Sequence, residues 1–180
     1  MGEHALGIAD PHVIHTLRTE RLLLRAMTLE DTPVIAAMQM DPEVMVYYGN
    51  GTPLDEVSAR ETVTKYHIAC RDHNYWAWAV TRLMTGEVLG QVTAGYSDID
   101  GPQSIELGFI LKTTAWGFGF GPEAVKAVIE HGRSMLAWSK IAAGVSSCNL
   151  RSIRLCNKVG MVQIRSVPSR QGDIRIIFVA

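Results

Sequence analysis

Short runs of the chain alternate apolar and polar residues, which is the period of a strand with one buried face. Two such runs flank the turn at Met84-Thr85-Gly86, and this arrangement predicts a β-hairpin. A second hairpin is predicted around Arg170-Gln171-Gly172-Asp173. The predicted strands are 18–25, 75–81, 87–96, 104–111, 140–146, 161–167 and 174–179.

Other segments repeat their apolar residues at helical spacing. Thr28 and Asp31 have the spacing of a capping box and predict a helix over 31–40. Asp41-Pro42 predicts a short helical turn that runs through Tyr47 and Tyr48, two aromatics expected in the core rather than in a pocket. Longer helices are predicted at 55–71, from Pro122 onwards, and at 150–159 with Asn149 as its cap.

Composition and length fit one globular domain. The chain has 180 residues, 47% of them hydrophobic and 19% charged, which is enough to bury a sizeable core. Residues 1–15 lack the basic start and apolar core of a signal peptide, so we expect an N-terminal extension there and a single domain at 16–180.

Charge and residue usage exclude several classes of function. The net charge of −1 gives no electrostatic reason to expect a nucleic acid or an anionic membrane as a partner, and no run of about 18 apolar residues predicts a membrane span.

The cysteines lack C-x-x-C spacing and are interpreted as reduced thiols of a cytoplasmic protein: Cys70, Cys148 and Cys156. No metal motif accompanies the paired histidines, which we interpret as surface residues: His12 with His15, and His67 with His73.

A glycine-rich turn between a predicted strand and a predicted helix is the main candidate for chemistry. Gly117, Gly119 and Gly121 alternate with aromatic residues just before Pro122. Glycines at a helix start let main-chain amides approach an anion at the positive end of the helix dipole. A phosphate site and a merely tight strand-to-helix connection both explain the pattern.

Two other phosphate motifs fit poorly. A dinucleotide fold requires G-x-G-x-x-G and an acidic residue about 20 positions on, whereas here the spacing is G-x-G-x-G and no acid lies around Lys140 and Ile141. An NAD-dependent oxidoreductase is therefore disfavoured. The Walker pattern is absent because no Gly-Lys-Ser/Thr follows the turn.

The strand, glycine turn and helix start at 106–124 resemble those of the GNAT superfamily of acyl-CoA-dependent N-acetyltransferases, whose signature is Q/R-x-x-G-x-G/A. WGFGFG at 116–121 fits it with Trp116 in the first place, and ELGFIL and AWGFGFGPEA are similar to EIGYWL and WGKGYATEA of the ribosomal-protein-alanine (RimJ/RimL-type) branch. Four further runs follow in the family's order: TERLLLRAMTLED at 19–31, DPEVMVYY at 41–48, TGEVLGQV at 85–92 and NLRSIRLCNKVGM at 149–161.

The resemblance implies an α/β (α+β) fold. Its central sheet is mixed and mostly antiparallel, with about seven strands and flanking helices, and is splayed between the strand at 104–111 and the strand at 140–146. The cofactor pyrophosphate would lie on the turn, and an amide near Ile110 would polarise the thioester carbonyl. Cofactor-binding residues implied in this way are Phe109, Ile110, Leu111, Trp116, Gly117, Phe118, Gly119, Phe120, Gly121, Asn149 and Ser152.

Catalytic roles are implied for two residues. Glu106 would take a proton from the acceptor amine, and Ser152 would act near the sulfur as an acid. The alternatives are that Glu106 is an exposed or ion-paired strand residue and that Asn149 only caps a helix. A covalent mechanism through Cys148 is disfavoured because no histidine partner is visible and the family transfers the acyl group directly.

The resulting hypothesis is an enzyme that moves an acetyl group from acetyl-CoA to a primary amine, on a protein N-terminus or a small molecule, without a metal. Family habit adds a homodimer. The alternative is a catalytically inactive CoA-binding or interaction module, since Phe118 replaces a basic residue of the family's turn and Pro122 replaces a Thr or Ser.

Overall fold

The computed structural model describes residues 14–71, 75–169 and 172–180. Within them the strands are β1 Leu17–Arg18, β2 Leu22–Ala26, β3 Tyr75–Arg82, β4 Val88–Ser97, β5 Ser104–Leu111, β6 Ile141–Ser146, β7 Val162–Pro168 and β8 Ile174–Val179. The α-helices are α1 Thr32–Met40, α2 Pro42–Met45, α3 Glu56–Arg71, α4 Phe120–Met135 and α5 Leu150–Lys158. Short 3-10 helices occupy Leu29–Asp31 and Thr113–Ala115.

All eight strands form one sheet in the order β1-β2-β3-β4-β5-β6-β8-β7. Neighbouring strands are antiparallel except for β5 and β6, which are parallel. The predicted mixed and mostly antiparallel sheet with flanking helices is therefore confirmed.

β5 and β6 pair over a very short length. Only Ile105 with Ile141 and Glu106 with Ala142 are partners, whereas β5 is paired with β4 along its whole length. Beyond Glu106 the two strands diverge and leave a V-shaped gap in the middle of the sheet. The predicted splay between 104–111 and 140–146 is confirmed.

Each face of the sheet carries its own hydrophobic core, because successive side chains of a strand point to opposite faces. One core joins the sheet to α4 and α5 and contains Trp78, Val128 and Phe178. The other lies under α1 to α3 and contains Ile35 and Val63. The gap between β5 and β6 therefore opens between two packed layers.

The predicted strand at 18–25 is wrong in one respect, because it is two strands joined by a turn. Leu22 donates its amide to the Thr19 hydroxyl at 2.9 Å, and Thr19 donates its own amide to the Leu22 carbonyl at 3.0 Å. β1 then folds back antiparallel to β2, with Leu17 opposite Leu24. A hydroxyl that bonds to the main chain three residues on is a turn signal that the leucine run obscured.

None of the helices in the described ranges is long and apolar enough to cross a membrane. The proposed extension at 1–15 falls mostly outside those ranges, as do Arg170 and Gln171 of the last predicted turn. Ile14 packs against the core, and the carbonyl of His15 accepts a hydrogen bond from the Trp78 indole at 3.0 Å. The boundary at residue 15 stays a prediction.

Gly132 of α4 should be intolerant of a side chain. A Cβ there would lie 2.1 Å from Cε3 of Trp138, whose ring is buried and packs edge-on against Trp76 at 4.9 Å. Alanine favours a helix by about 1 kcal/mol over glycine, but overpacking a core costs about 1–3 kcal/mol. We expect Gly132→Ala to lower the free energy of unfolding by about 1 kcal/mol or more in a denaturant titration.

The matched control is Ser134→Ala, since Ser134 lies on the exposed face of the same helix. Its effect on the free energy of unfolding should stay within about 0.5 kcal/mol. A Gly132→Ala protein as stable as the wild type would show that Trp138 is free to move.

Candidate functional site

A cleft of about 1060 Å³ follows the gap between β5 and β6. It runs from the glycine turn and the start of α5, past the parting of the strands, to the tyrosines near α2. The predicted site residues that line it are Glu106, Phe109, Ile110, Leu111, Trp116, Gly117, Gly119, Gly121, Asn149 and Ser152.

Two predicted cofactor-binding residues lie outside this lining. The Phe118 ring is exposed and stacks on Phe120 at 6.0 Å, and Phe120 is buried in the core. Any contact from 118 or 120 with a ligand in the cleft therefore has to come from the main chain.

In β5, the main-chain N–H and C=O groups of every second residue point towards the gap. Ile105 donates to the Lys140 carbonyl on the β6 side at 2.8 Å, and Lys112 donates to the Leu89 carbonyl on the β4 side at 2.9 Å. Because strand residues alternate, Phe109 directs its N–H and C=O into the gap, and Ile110 directs its own towards β4. The Phe109 amide thus faces the gap and lies next to Ile110, where an amide is expected from the sequence; its role towards a thioester stays a prediction.

Trp116 closes the wide end of the gap. Its indole N–H donates to the Leu111 carbonyl at 2.9 Å, so that carbonyl is already paired. The guanidinium of Arg151 lies over the indole ring, with its Cζ 3.9 Å from the ring centroid. A cation–π contact of this kind orients the Arg151 charge at the cleft, which it lines.

The glycine turn owes its shape to two left-handed residues. Gly117 has a φ of 84° and Gly119 a φ of 81°, and Gly119 is the N-cap of α4. The helix starts at Phe120, two residues before the predicted start at Pro122. Pro122 remains harmless there, because the first turn of a helix has amides without intrahelical acceptors.

The turn between β1 and β2 is joined to the glycine turn by hydrogen bonds and an ion pair. Arg21 donates to the Phe118 carbonyl at 2.9 Å, and its guanidinium pairs with Glu123 at 2.6 Å. Glu123 also accepts from the Thr19 hydroxyl at 2.6 Å and from the Arg21 amide at 2.9 Å. Sequence reasoning missed this contact because its partners are 102 residues apart.

The environment of Glu123 favours its charged form. Burial is the largest single influence and raises the pKa of the carboxyl, but hydrogen bonds from Thr19 and Arg21 outweigh it. The pKa of Glu123 is therefore held below its usual range.

Helix α5 presents a basic stripe to the cleft. Arg151, Arg154 and Lys158 all line it, at the spacing of one helix face. Helix α5 packs close to the start of α4 at Gly121, where a Cβ would lie 2.8 Å from Cδ1 of Leu155. Sequence reasoning missed the stripe, although its three-and-four spacing was a readable signal.

Asn149 caps α5. Its side-chain oxygen accepts from the Ser152 amide at 3.1 Å, which is the structural role weighed against a ligand role. The two residues stand together at the cleft wall, and the Asn149 amide group keeps its two donors for a ligand.

Glu106 stands where the two strands part. Its carboxylate forms an ion pair with Arg175 of β8 and accepts from the Ser97 hydroxyl at 3.0 Å. The ion-paired alternative for Glu106 is therefore present, and the residue also lines the cleft as a proton acceptor must. Arg175 was not singled out from the sequence.

The far end of the cleft is aromatic and acidic. Tyr47, Tyr48, Tyr75 and Tyr96 line it together with Glu43. The expectation that Tyr47 and Tyr48 are core residues is therefore wrong for Tyr47, which is exposed, and incomplete for Tyr48. Burial raises the pKa of the Tyr48 hydroxyl well above its usual value, so this hydroxyl stays protonated.

No group of three or more His, Cys, Asp or Glu side chains in the described ranges is arranged to hold a metal ion. His15 packs edge-on against His131 at 5.2 Å, away from the cleft, and Cys70, Cys148 and Cys156 are free thiols. His12 and His73 lie outside the described residues.

Known proteins resemble this chain in sequence and in fold. Residues 21–162 match the sequence profile of the acetyltransferase (GNAT) domain. The chain is 36% identical over 148 residues to the uncharacterized N-acetyltransferase p20 of Bacillus licheniformis, covering 81% of this chain and 82% of that protein.

Two solved structures share the fold. The ribosomal-protein acetyltransferase RimL, in complex with coenzyme A, has a TM-score of 0.79 at 11% identity, with 92% of this chain and 97% of that chain covered. Spermidine N-acetyltransferase from Vibrio cholerae, in complex with CoA and spermine, has a TM-score of 0.77 at 18% identity, with 90% and 96% covered. At these identities the likeness concerns the fold alone.

Glu123→Gln tests the contact behind the glycine turn. We expect the free energy of unfolding near pH 7 to fall by about 1–2 kcal/mol, because the hydrogen bonds to Thr19 and Arg21 lose their charge. The folded-state pKa of Glu123 is below its ordinary value of 4.5, so its stabilisation is complete above that value and is lost as the pH falls through the folded-state pKa. In urea titrations, the difference in the free energy of unfolding between variant and wild type should therefore become smaller below about pH 4.

Glu61→Gln, on the exposed side of α3, is the control and should change stability by less than about 0.5 kcal/mol at any pH. A stability difference between Glu123→Gln and the wild type that stays constant down to about pH 3 would contradict the assigned contact.

Proposed function

Because this chain belongs to the GNAT family of N-acetyltransferases, we propose that it moves an acetyl group from acetyl-CoA to a primary amine in one direct step. The observation that carries the proposal is the gap between β5 and β6, which has a glycine turn at a helix start on one side and Glu106 at its vertex. Main-chain groups in such a gap can bind an extended chain as a neighbouring strand would.

The cofactor half of the cleft supplies positive charge and amides. Arg151, Arg154 and Lys158 meet phosphate groups that reach the turn at Gly117 and Gly119. Acetyl-CoA held in this way would supply the activated acetyl thioester at the centre of the gap. The basic stripe on α5 compensates for Phe118, which stands where the family's turn has a basic residue.

Residues at the centre of the gap position the reaction. The Phe109 N–H donates to the thioester carbonyl and stabilises the charge that develops there, while Asn149 binds the pantetheine. Ser152 hydrogen-bonds the departing sulfur. Glu106 accepts a proton from the ammonium group of the acceptor, which is mostly protonated at neutral pH.

The acceptor half favours a cationic amine. Four tyrosine rings and Glu43 surround an entering ammonium group with aromatic faces and negative charge. A protein N-terminus and a small aliphatic amine both meet this requirement. RimL and the spermidine enzyme, named for these two kinds of acceptor, support the proposal by their shared fold.

The proposal extends to the setting of the protein. We place the chain in the cytoplasm, which its three free thiols favour, with residues 16–180 as the catalytic domain. We further propose a homodimer, because the sheet ends at β7 and exposes Val162, Ile164 and Ile174.

Ligand binding and turnover test the proposal in sequence. Acetyl-CoA and desulfo-CoA should each raise the melting temperature, and NAD should not. A screen of amines for release of free CoA thiol should then identify acceptors, and Glu106→Gln should lower kcat by about tenfold or more with little change in CoA binding. CoA binding without turnover of any amine would favour the inactive binding module, and no shift with CoA would refute the cofactor site.

A pair of glycine substitutions separates ligand contact from backbone strain. Gly117 and Gly86 have φ values of 84° and 71°, and a Cβ at either would meet no atom within 4 Å. Both alanine variants should therefore lose about 1–2 kcal/mol of stability. Only Gly117→Ala should weaken acetyl-CoA binding, by about tenfold or more in isothermal titration, because Gly117 lines the cleft and Gly86 does not.

Wild-type affinity for acetyl-CoA in both alanine variants would remove Gly117 from the cofactor site. An equal loss in both would assign the effect to strain rather than to contact with the phosphates.

A further inference from the structure

We propose that Arg175 is a positioning residue for acetyl transfer, with its guanidinium laid across Gly144 to hold the Glu106 carboxylate where β5 and β6 part. The inference rests on the proposed function, in which Glu106 takes the proton of the acceptor amine. It adds Gly144 and Arg175 to the residues that determine the rate.

Arg175 reaches Glu106 by crossing an intervening strand. It lies on β8 opposite Ser146 of β6, and Glu106 lies on β5 at the other side of β6. The guanidinium nevertheless pairs with the Glu106 carboxylate. The side chain therefore spans β6 on the sheet face that carries the acceptor half of the cleft.

Gly144 is the residue of β6 that lets this side chain pass. A Cβ at Gly144 would lie 2.0 Å from Nε and 2.4 Å from Cζ of Arg175, and the three nearest atoms all belong to that side chain. Gly144 is absent from the glycines with positive φ, so its backbone conformation does not require glycine. The space for Arg175 is what requires it.

The carboxylate is held from two directions. Arg175 binds Oε1, and the Ser97 hydroxyl donates to Oε2 at 3.0 Å while its oxygen accepts from the Ile99 amide at 3.1 Å. Contacts from β4 and β8 thus fix the orientation of a side chain on β5. Arginine keeps its proton at any working pH, so it orients Glu106 without competing for the proton in transfer.

Stability is a poor explanation for this pair. The Arg175 and Glu106 side chains keep 40% and 29% of their surfaces exposed, and ion pairs that reach solvent in this way contribute little to folding. A pair that occupies the space of a side chain at Gly144 and contributes little to stability is better explained by the position in which it holds Glu106.

Steady-state kinetics on a set of variants test the inference. Arg175→Met should lower kcat by about tenfold or more while KM for acetyl-CoA stays within about twofold, because the proton acceptor loses its orientation but the cofactor half is untouched. Arg175→Lys should restore part of the rate, since it keeps the charge without the planar fork. Gly144→Ala should reproduce the loss by displacing the Arg175 side chain.

Coupling between the variants separates positioning from a general structural effect. Arg175→Met added to Glu106→Gln, or to Gly144→Ala, should cause no further loss, because each pair acts through one step. Arg60→Met, which removes an equally charged side chain from the exposed face of α3, is the control and should leave kcat unchanged.

Three results would overturn the inference and leave the transferase function standing: wild-type kcat in Arg175→Met, full activity in Gly144→Ala, or losses from Glu106→Gln and Arg175→Met that multiply in the double variant. A wild-type chain that binds CoA but acetylates no amine would overturn the inference and the proposed function together.

Discussion

The parting of β5 from β6 after two residue pairs is the constraint on which the rest of the molecule depends. Main-chain N–H and C=O groups inside a sheet need partners, and here one strand edge in the middle of the sheet has lost them. The cores on both faces keep the strands apart, since α4 and α5 pack below the gap and α1 to α3 above it. The opening is thus stabilised by packing around it, and in the proposed function the extended arm of the cofactor supplies the missing partners.

The charges of the cleft are divided along its length. Arg151, Arg154 and Lys158 line the end at the glycine turn, and Glu43 and the tyrosines line the end near α2. The net charge of −1 sums 17 basic and 18 acidic side chains over the whole chain and therefore does not reveal this division. In the proposed function, one anionic and one cationic substrate enter from opposite ends and meet at the vertex near Glu106.

Local signals predicted the fold well. β5 and β8 have the bounds that alternation indicated, and the capping box at Thr28 and Asp31 is present. The glycine turn follows from a short motif, and the splay was implied by the resemblance to the GNAT family. The contacts that the sequence did not reveal join distant segments: Arg21 with Glu123, and Arg175 with Glu106 across Gly144. A glycine that makes room for an arginine from another strand has no signature in its own neighbourhood.

The order of the strands has a consequence for how the chain folds. β8 follows β7 in the sequence but lies inside the sheet, between β6 and β7. During synthesis β6 therefore presents an open, apolar edge until β8 emerges, and no other segment of the described sheet takes its place. The wall of the cleft is incomplete until this segment is made, because Asp173 and Arg175 line it. A nascent chain stalled before β8 offers an unpaired edge to chaperones, to proteases and to other copies of itself.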